Sequence, residues 1–102
     1  MIVDENYIKN RYKGLSQEEA KEVMKVMQKY GNNRWWESND PVEIAQHQIF
    51  EEVLLSDFKT YHQGLTELIG RPILVGELSS RKYIVQIRKE VREIIGRKNK
   101  DR

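Results

Sequence analysis

The stretch "PVEIAQHQIFEEVLLSDFKTYHQGLTELIG", residues 41–70, decides the fold. It opens on a helix start, with Asp40 before it as an Asx cap, Pro41 at the first helical position and Glu43 at the third. Phe50, Leu54, Phe58, Tyr61, Leu65 and Leu68 then recur at three- and four-residue spacing, so the pattern alone allows one helix through to Gly70. Ser56-Asp57 is a second capping signal inside that stripe. An unbroken helix would run ~45 Å and leave most of its stripe uncovered in so small a chain. The reading adopted is therefore two helices, about 41–55 and 57–69. Gly64, in the second, carries a propensity cost of roughly 1 kcal/mol relative to alanine.

Working outward, Ser16-Gln17-Glu18-Glu19 is a capping box, with Leu15 and Ala20 at the flanking apolar positions. Ala20, Val23, Met24, Met27 and Tyr30 form one helical stripe, and Gly31 supplies a left-handed stop, giving a helix over 16–30. Upstream, Asp4 is a candidate cap for a short helix over about 4–12. Downstream, Ile73-Leu74-Val75 follows Gly70-Arg71-Pro72 and reads as an extended segment near 73–75, with Ile2-Val3 as its candidate pairing strand. Ser79 or Ser80 caps a last helix carrying Tyr83, Ile84, Ile87, Val91, Ile94 and Ile95, with Gly96 as its stop. Residues 97–102 read as a basic flexible tail. The fold class expected is all-α, a compact bundle of about four helices in a single domain over 1–96. The alternative is α+β with a two-stranded ribbon.

At 102 residues the chain has room for one modest core, and with no cysteine it has neither disulfides nor thiolate chemistry. Met1-Ile2-Val3-Asp4-Glu5 lacks the positive-then-apolar order of a secretory signal, and no apolar run approaches the ~20 residues that span a bilayer. A soluble cytoplasmic protein is expected, with no membrane association. The net charge of +2 conceals an asymmetry. Residues 1–80 hold 9 Lys/Arg against 13 Asp/Glu, a charge of −4, and residues 81–102 hold 9 against 3, a charge of +6. Between 35 and 58 stand Glu37, Asp40, Glu43, Glu51, Glu52 and Asp57 with no Lys or Arg among them.

Chemistry-bearing patterns are sparse. His47 and Glu51 have the four-residue spacing of two ligands on one helical face, and His62 lies in the next helix, but no metal motif accompanies them. No carboxylate pair, glycine-rich phosphate loop or nucleophile constellation stands out, so the expectation is a non-enzymatic protein without cofactor, metal or evident small-molecule substrate. Two surface elements remain. Arg34, Trp35, Trp36 and Glu37 lie in the nine-residue connection from Gly31 to Asn39, long enough to be a recognition loop. If that segment is extended, adjacent side chains point to opposite sides, so one ring packs inward and the other faces out as a partner-binding anchor. Trp36, placed to fold back onto Val42 and Ile44, is read as the inward one and Trp35 as the outward one, with both rings in the core as the alternative. Arg34 has a ring to stack on in either case.

The second element is a basic edge. Arg81, Val85, Arg88 and Arg92 form a row on the last helix, with Lys98 beyond, facing either a protein or a nucleic acid. A helix-turn-helix with Gly70 at the turn fails, because Gly76 and Ser79 fall where the second helix needs apolar residues. The bland reading of the row is a solvated helical edge, or an intramolecular match to Glu43, Glu51 and Glu52. The function expected is a small adaptor or regulator acting through protein–protein contacts, including homo-oligomerisation. The alternative is a nucleic-acid-binding protein using the basic C-terminal helix and tail.

Overall fold

The structure, a computed structural model, describes the backbone of residues 4–100 and the side chains of residues 4–97. Among the described residues there are six α-helices, one 3-10 turn and no strand, so the fold is all-α. The chain divides into two compact units, the first ending at Trp35 and the second beginning at Trp36.

In the first unit, α1 (Glu5–Arg11) starts where Asp4 accepts from the Tyr7 amide at 2.9 Å, and α2 (Gln17–Lys29) starts at a complete capping box. Ser16 Oγ accepts from the Glu19 amide at 3.1 Å, while Glu19 Oε1 accepts from the Ser16 amide at 3.1 Å. These bonds to Ser16 hold the Glu19 carboxyl below the usual carboxylate range. The apolar stripe of α2 buries Val23 and Met27, α1 contributes Ile8, and Gly31 takes the expected left-handed conformation at φ 62°.

The second unit holds α3 (Pro41–Gln48), α4 (Phe58–Ile69), α5 (Val75–Leu78) and α6 (Arg81–Lys100). Asp40 caps α3 through the Val42 amide at 3.0 Å, and Asp57 caps α4 through the Thr60 amide at 3.1 Å. The stretch 41–70 is thus two helices, but α3 ends at Gln48 rather than near Leu55. The cause is Gln48 itself, whose buried amide binds the backbone that follows. Its Nε2 donates to the Val53 carbonyl at 2.8 Å, and its Oε1 accepts from the Leu55 and Ser56 amides at 2.9 and 3.2 Å. Three backbone groups that a continuing helix would pair internally are satisfied by one side chain instead.

α3 and α4 cross at Gly64, where an added Cβ would stand 1.9 Å from the Pro41 carbonyl oxygen. The glycine that helix propensity counts as a cost is therefore a condition of the packing. Gly70, at φ 84°, ends α4, and Arg71 then ties the connection down through Glu77 at 3.4 Å and Glu90 at 3.1 Å. Those carboxylates, Glu90 foremost, raise the guanidinium above its ordinary value. The segment expected to be extended near 73–75 is extended as far as Leu74, at φ −77° and ψ 143°, but forms no strand, and Val75 is already helical. Glu77 accepts from the Leu74 amide at 2.8 Å, so the chain turns into α5 at Val75. Ile2-Val3, its expected partner, lies outside the described residues. Gly96 does not stop the last helix, because α6 runs through it to Lys100. A single glycine lowers helix propensity by up to about 1 kcal/mol, which a helix already about four turns long can carry. The expected flexible tail is thus helical over 97–100, and residues 101 and 102 lie outside the described residues. No helix among the described residues is long and apolar enough to cross a membrane.

Candidate functional site

The tryptophan stretch forms a 3-10 turn over Trp35–Glu37, not an extended segment. Successive side chains in such a turn stand about a third of a circle apart rather than opposite one another, so two neighbours can both turn inward. Trp35 and Trp36 are 1% and 2% exposed, and the expectation of an outward Trp35 is corrected. Trp35 meets the ring of Tyr30 edge-on at 5.7 Å between centroids. Arg34 stacks on Tyr7, its guanidinium carbon 4.8 Å from the ring centre. Of the four residues expected to form a recognition loop, only Glu37 is fully on the surface, and Arg34 is half-buried.

The basic row on α6 meets partners within its own unit. Arg88 Nε donates to the Ile49 carbonyl at 2.6 Å, Arg92 lies over the Phe50 ring at 5.3 Å, and Arg81 pairs with Glu52 at 3.2 Å. Each of these acceptors belongs to the connection between α3 and α4. That segment lies beyond the end of α3, so the row closes a tertiary contact as well as presenting charge. The Lys98 side chain lies outside the described residues.

Between this connection and α6 lies a groove of about 350 Å3. One wall carries Glu51 and Glu52, the other carries Arg81 and Arg88, and the apolar lining comes from Leu54, Phe58, Leu78 and Ile84. Tyr61 also lines it, and burial pushes its phenol up to about 12 despite the opposing effect of the nearby Arg88 charge. Leu54 is 45% exposed and Phe58 37%, although both belong to this depression. Phe58 is anchored rather than loose: it stacks on His62 at 6.1 Å with the planes 6° apart and meets Tyr61 edge-on at 6.1 Å. His62 in turn bonds through Nε2 to the Ile73 carbonyl, while His47 Nδ1 bonds to the Glu43 carbonyl at 2.9 Å. Both imidazoles thus engage backbone oxygens, and no three His, Asp or Glu side chains converge on a metal position among the described residues.

The groove was not legible as a unit in the sequence. Leu54, Phe58 and the arginines were visible as stripe and row, but their approach depends on the Gln48 turn. No family model, curated protein or solved structure matches the chain.

Proposed function

We propose that this chain is a non-enzymatic adaptor or regulator that binds another polypeptide, and that the groove between the α3–α4 connection and α6 is its contact surface. The observation that carries the reading is the exposure of Leu54 and Phe58 inside a groove whose rim is charged. An apolar centre within a polar rim is the composition of a protein–protein interface, and held aromatic rings lose little entropy on docking. The nucleic-acid alternative has weaker support. Arg81, Arg88 and Arg92 already face acceptors in their own unit, and the opposite wall of the groove is acidic. A polyanion would have to displace the first and tolerate the second.

A photo-crosslinking amino acid placed at Phe58, with Gln63 on the exposed side of α4 as control position, tests this in the cell. Discrete polypeptide adducts from position 58 and none from position 63 are the expected result. Adducts to nucleic acid alone, or none from either position, would remove the proposal.

A further inference from the structure

The two walls of the groove carry opposite charge, and this makes the surface complementary to itself. Rotation by half a turn about an axis lying in the contact plane and parallel to the groove sets the acidic wall of one copy against the basic wall of another, with the apolar floors face to face. Closed twofold assemblies use such a patch twice, residue i meeting j and j meeting i. We infer that the occupant of the groove is a second copy of this chain, docked face to face with its two walls exchanged so that Arg81 of each copy pairs with Glu52 of the other. The inference rests on the groove being a protein-contact surface, and adds which partner it takes.

The pair that would be exchanged is already present within one chain. Arg81 and Glu52 bridge the two walls at 3.2 Å, with side chains 84% and 74% exposed. An ion pair so open to water is held weakly, so trading it for the same pair between copies changes little in energy. What the exchange adds is cover for Leu54 and Phe58, together with Val85, which stands exposed on α6 between Arg81 and Arg88. A wholly acidic partner would satisfy Arg81 and Arg88 but meet Glu51 and Glu52 with like charge. A wholly basic partner has the converse fault. An occupant that carries both signs across an apolar strip avoids both, and this surface is itself one.

Sedimentation velocity on the full chain and on charge-reversed variants tests the inference. Wild type is expected to show a reversible dimer as concentration rises towards about 1 mM, where a weak association becomes populated. R81E and E52R should each weaken it about tenfold or more, since a reversal places like charges opposite each other at both symmetry-related contacts. Mixing R81E with E52R should restore the dimer, because both contacts then join opposite charges again, and the double variant R81E/E52R should dimerise on its own. Circular dichroism melts keep the comparison fair, since both side chains are exposed and their replacement should leave the fold intact. A wild type that stays monomeric, a dimer indifferent to both reversals, or single variants that fail to associate when mixed would each overturn the second-copy assignment. The groove reading separates from it through the crosslinker at position 58. Adducts to other polypeptides beside a monomeric wild type leave the groove standing and remove the second copy, whereas no polypeptide adduct at all removes both.

Discussion

The Gln48 side-chain oxygen accepts a hydrogen bond from the Leu55 backbone amide at 2.9 Å, seven residues along, and this bond sets where helix gives way to turn in the middle of the chain. The Ser56 amide shares the same oxygen, and the Val53 carbonyl takes the other end of the amide. Replacing Gln48 with leucine would keep the volume and strand these groups beside a buried hydrocarbon. Each buried polar group left unsatisfied costs about 1–3 kcal/mol, and the turn can relax towards water for some of them, so a loss of about 2–4 kcal/mol is expected for Gln48→Leu. Urea unfolding measures it. A change under about 1 kcal/mol would mean that the amide does not organise the turn.

Gly64 and Gly96 should respond to alanine with opposite signs. Both lie inside helices, where alanine is favoured by up to about 1 kcal/mol on propensity alone. At Gly96 nothing lies within 4 Å of an added Cβ, so Gly96→Ala should stabilise modestly. At Gly64 the added carbon meets the Pro41 carbonyl and Ala45 Cβ, the second at 3.0 Å, and α3 has to move. Overpacking of this kind typically costs 1–3 kcal/mol, about enough to outweigh the propensity gain. Thermal melts of the two variants should move in opposite directions, and a raised melting temperature for Gly64→Ala would contradict the close crossing.

What was readable in advance follows from range. Asp4, Ser16, Asp40 and Asp57 were visible as helix starts because a cap acts within three residues, and all four bond to the amides that their positions imply. Stops were harder. The end of α3 depends on a glutamine reaching seven and eight residues on, and α6 passes through a glycine that a local rule counts as a terminator. Gly64 shows the same limit from the other side, since its value lies in Pro41, a residue 23 positions away in sequence. The row Arg81, Arg88 and Arg92 was visible as a row. That it would meet Ile49, Phe50 and Glu52 could not be resolved until the turn was placed, although Glu52 stood among the acidic residues weighed against it.

The phenol of Tyr61 makes stability depend on alkaline pH. Its folded value is pushed up to about 12 from an ordinary 10, with burial as the main cause and the Arg88 charge acting against it. The unfolded chain therefore loses this proton first. Below pH 10 both states hold it and the contribution of Tyr61 is constant, whereas between about pH 10 and 12 only the folded state retains it and stability falls as pH rises. Tyr61 should ionise later than an ordinary exposed tyrosine in an ultraviolet titration, and Tyr61→Phe should flatten the decline in urea stability above pH 10. An unchanged slope in that variant would show that another group governs the alkaline limit.

The last expectation concerns the paired tryptophans. Had one ring faced outward, its removal would leave the melting temperature nearly unchanged, but the 3-10 turn buries Trp35 and Trp36 alike. Truncating a buried large aromatic to alanine removes its transfer free energy and leaves a cavity, together about 3–5 kcal/mol. Trp35→Ala also forfeits the edge-on contact with Tyr30, while Trp36→Ala opens the start of the second unit. Both variants should unfold at markedly lower urea. In the wild-type protein the combined tryptophan emission should be blue-shifted and resist quenching by iodide, which does not enter a packed interior. Half of the emission quenched as readily as free indole would mean that one ring faces solvent after all, and a stability loss confined to one of the two variants would identify which.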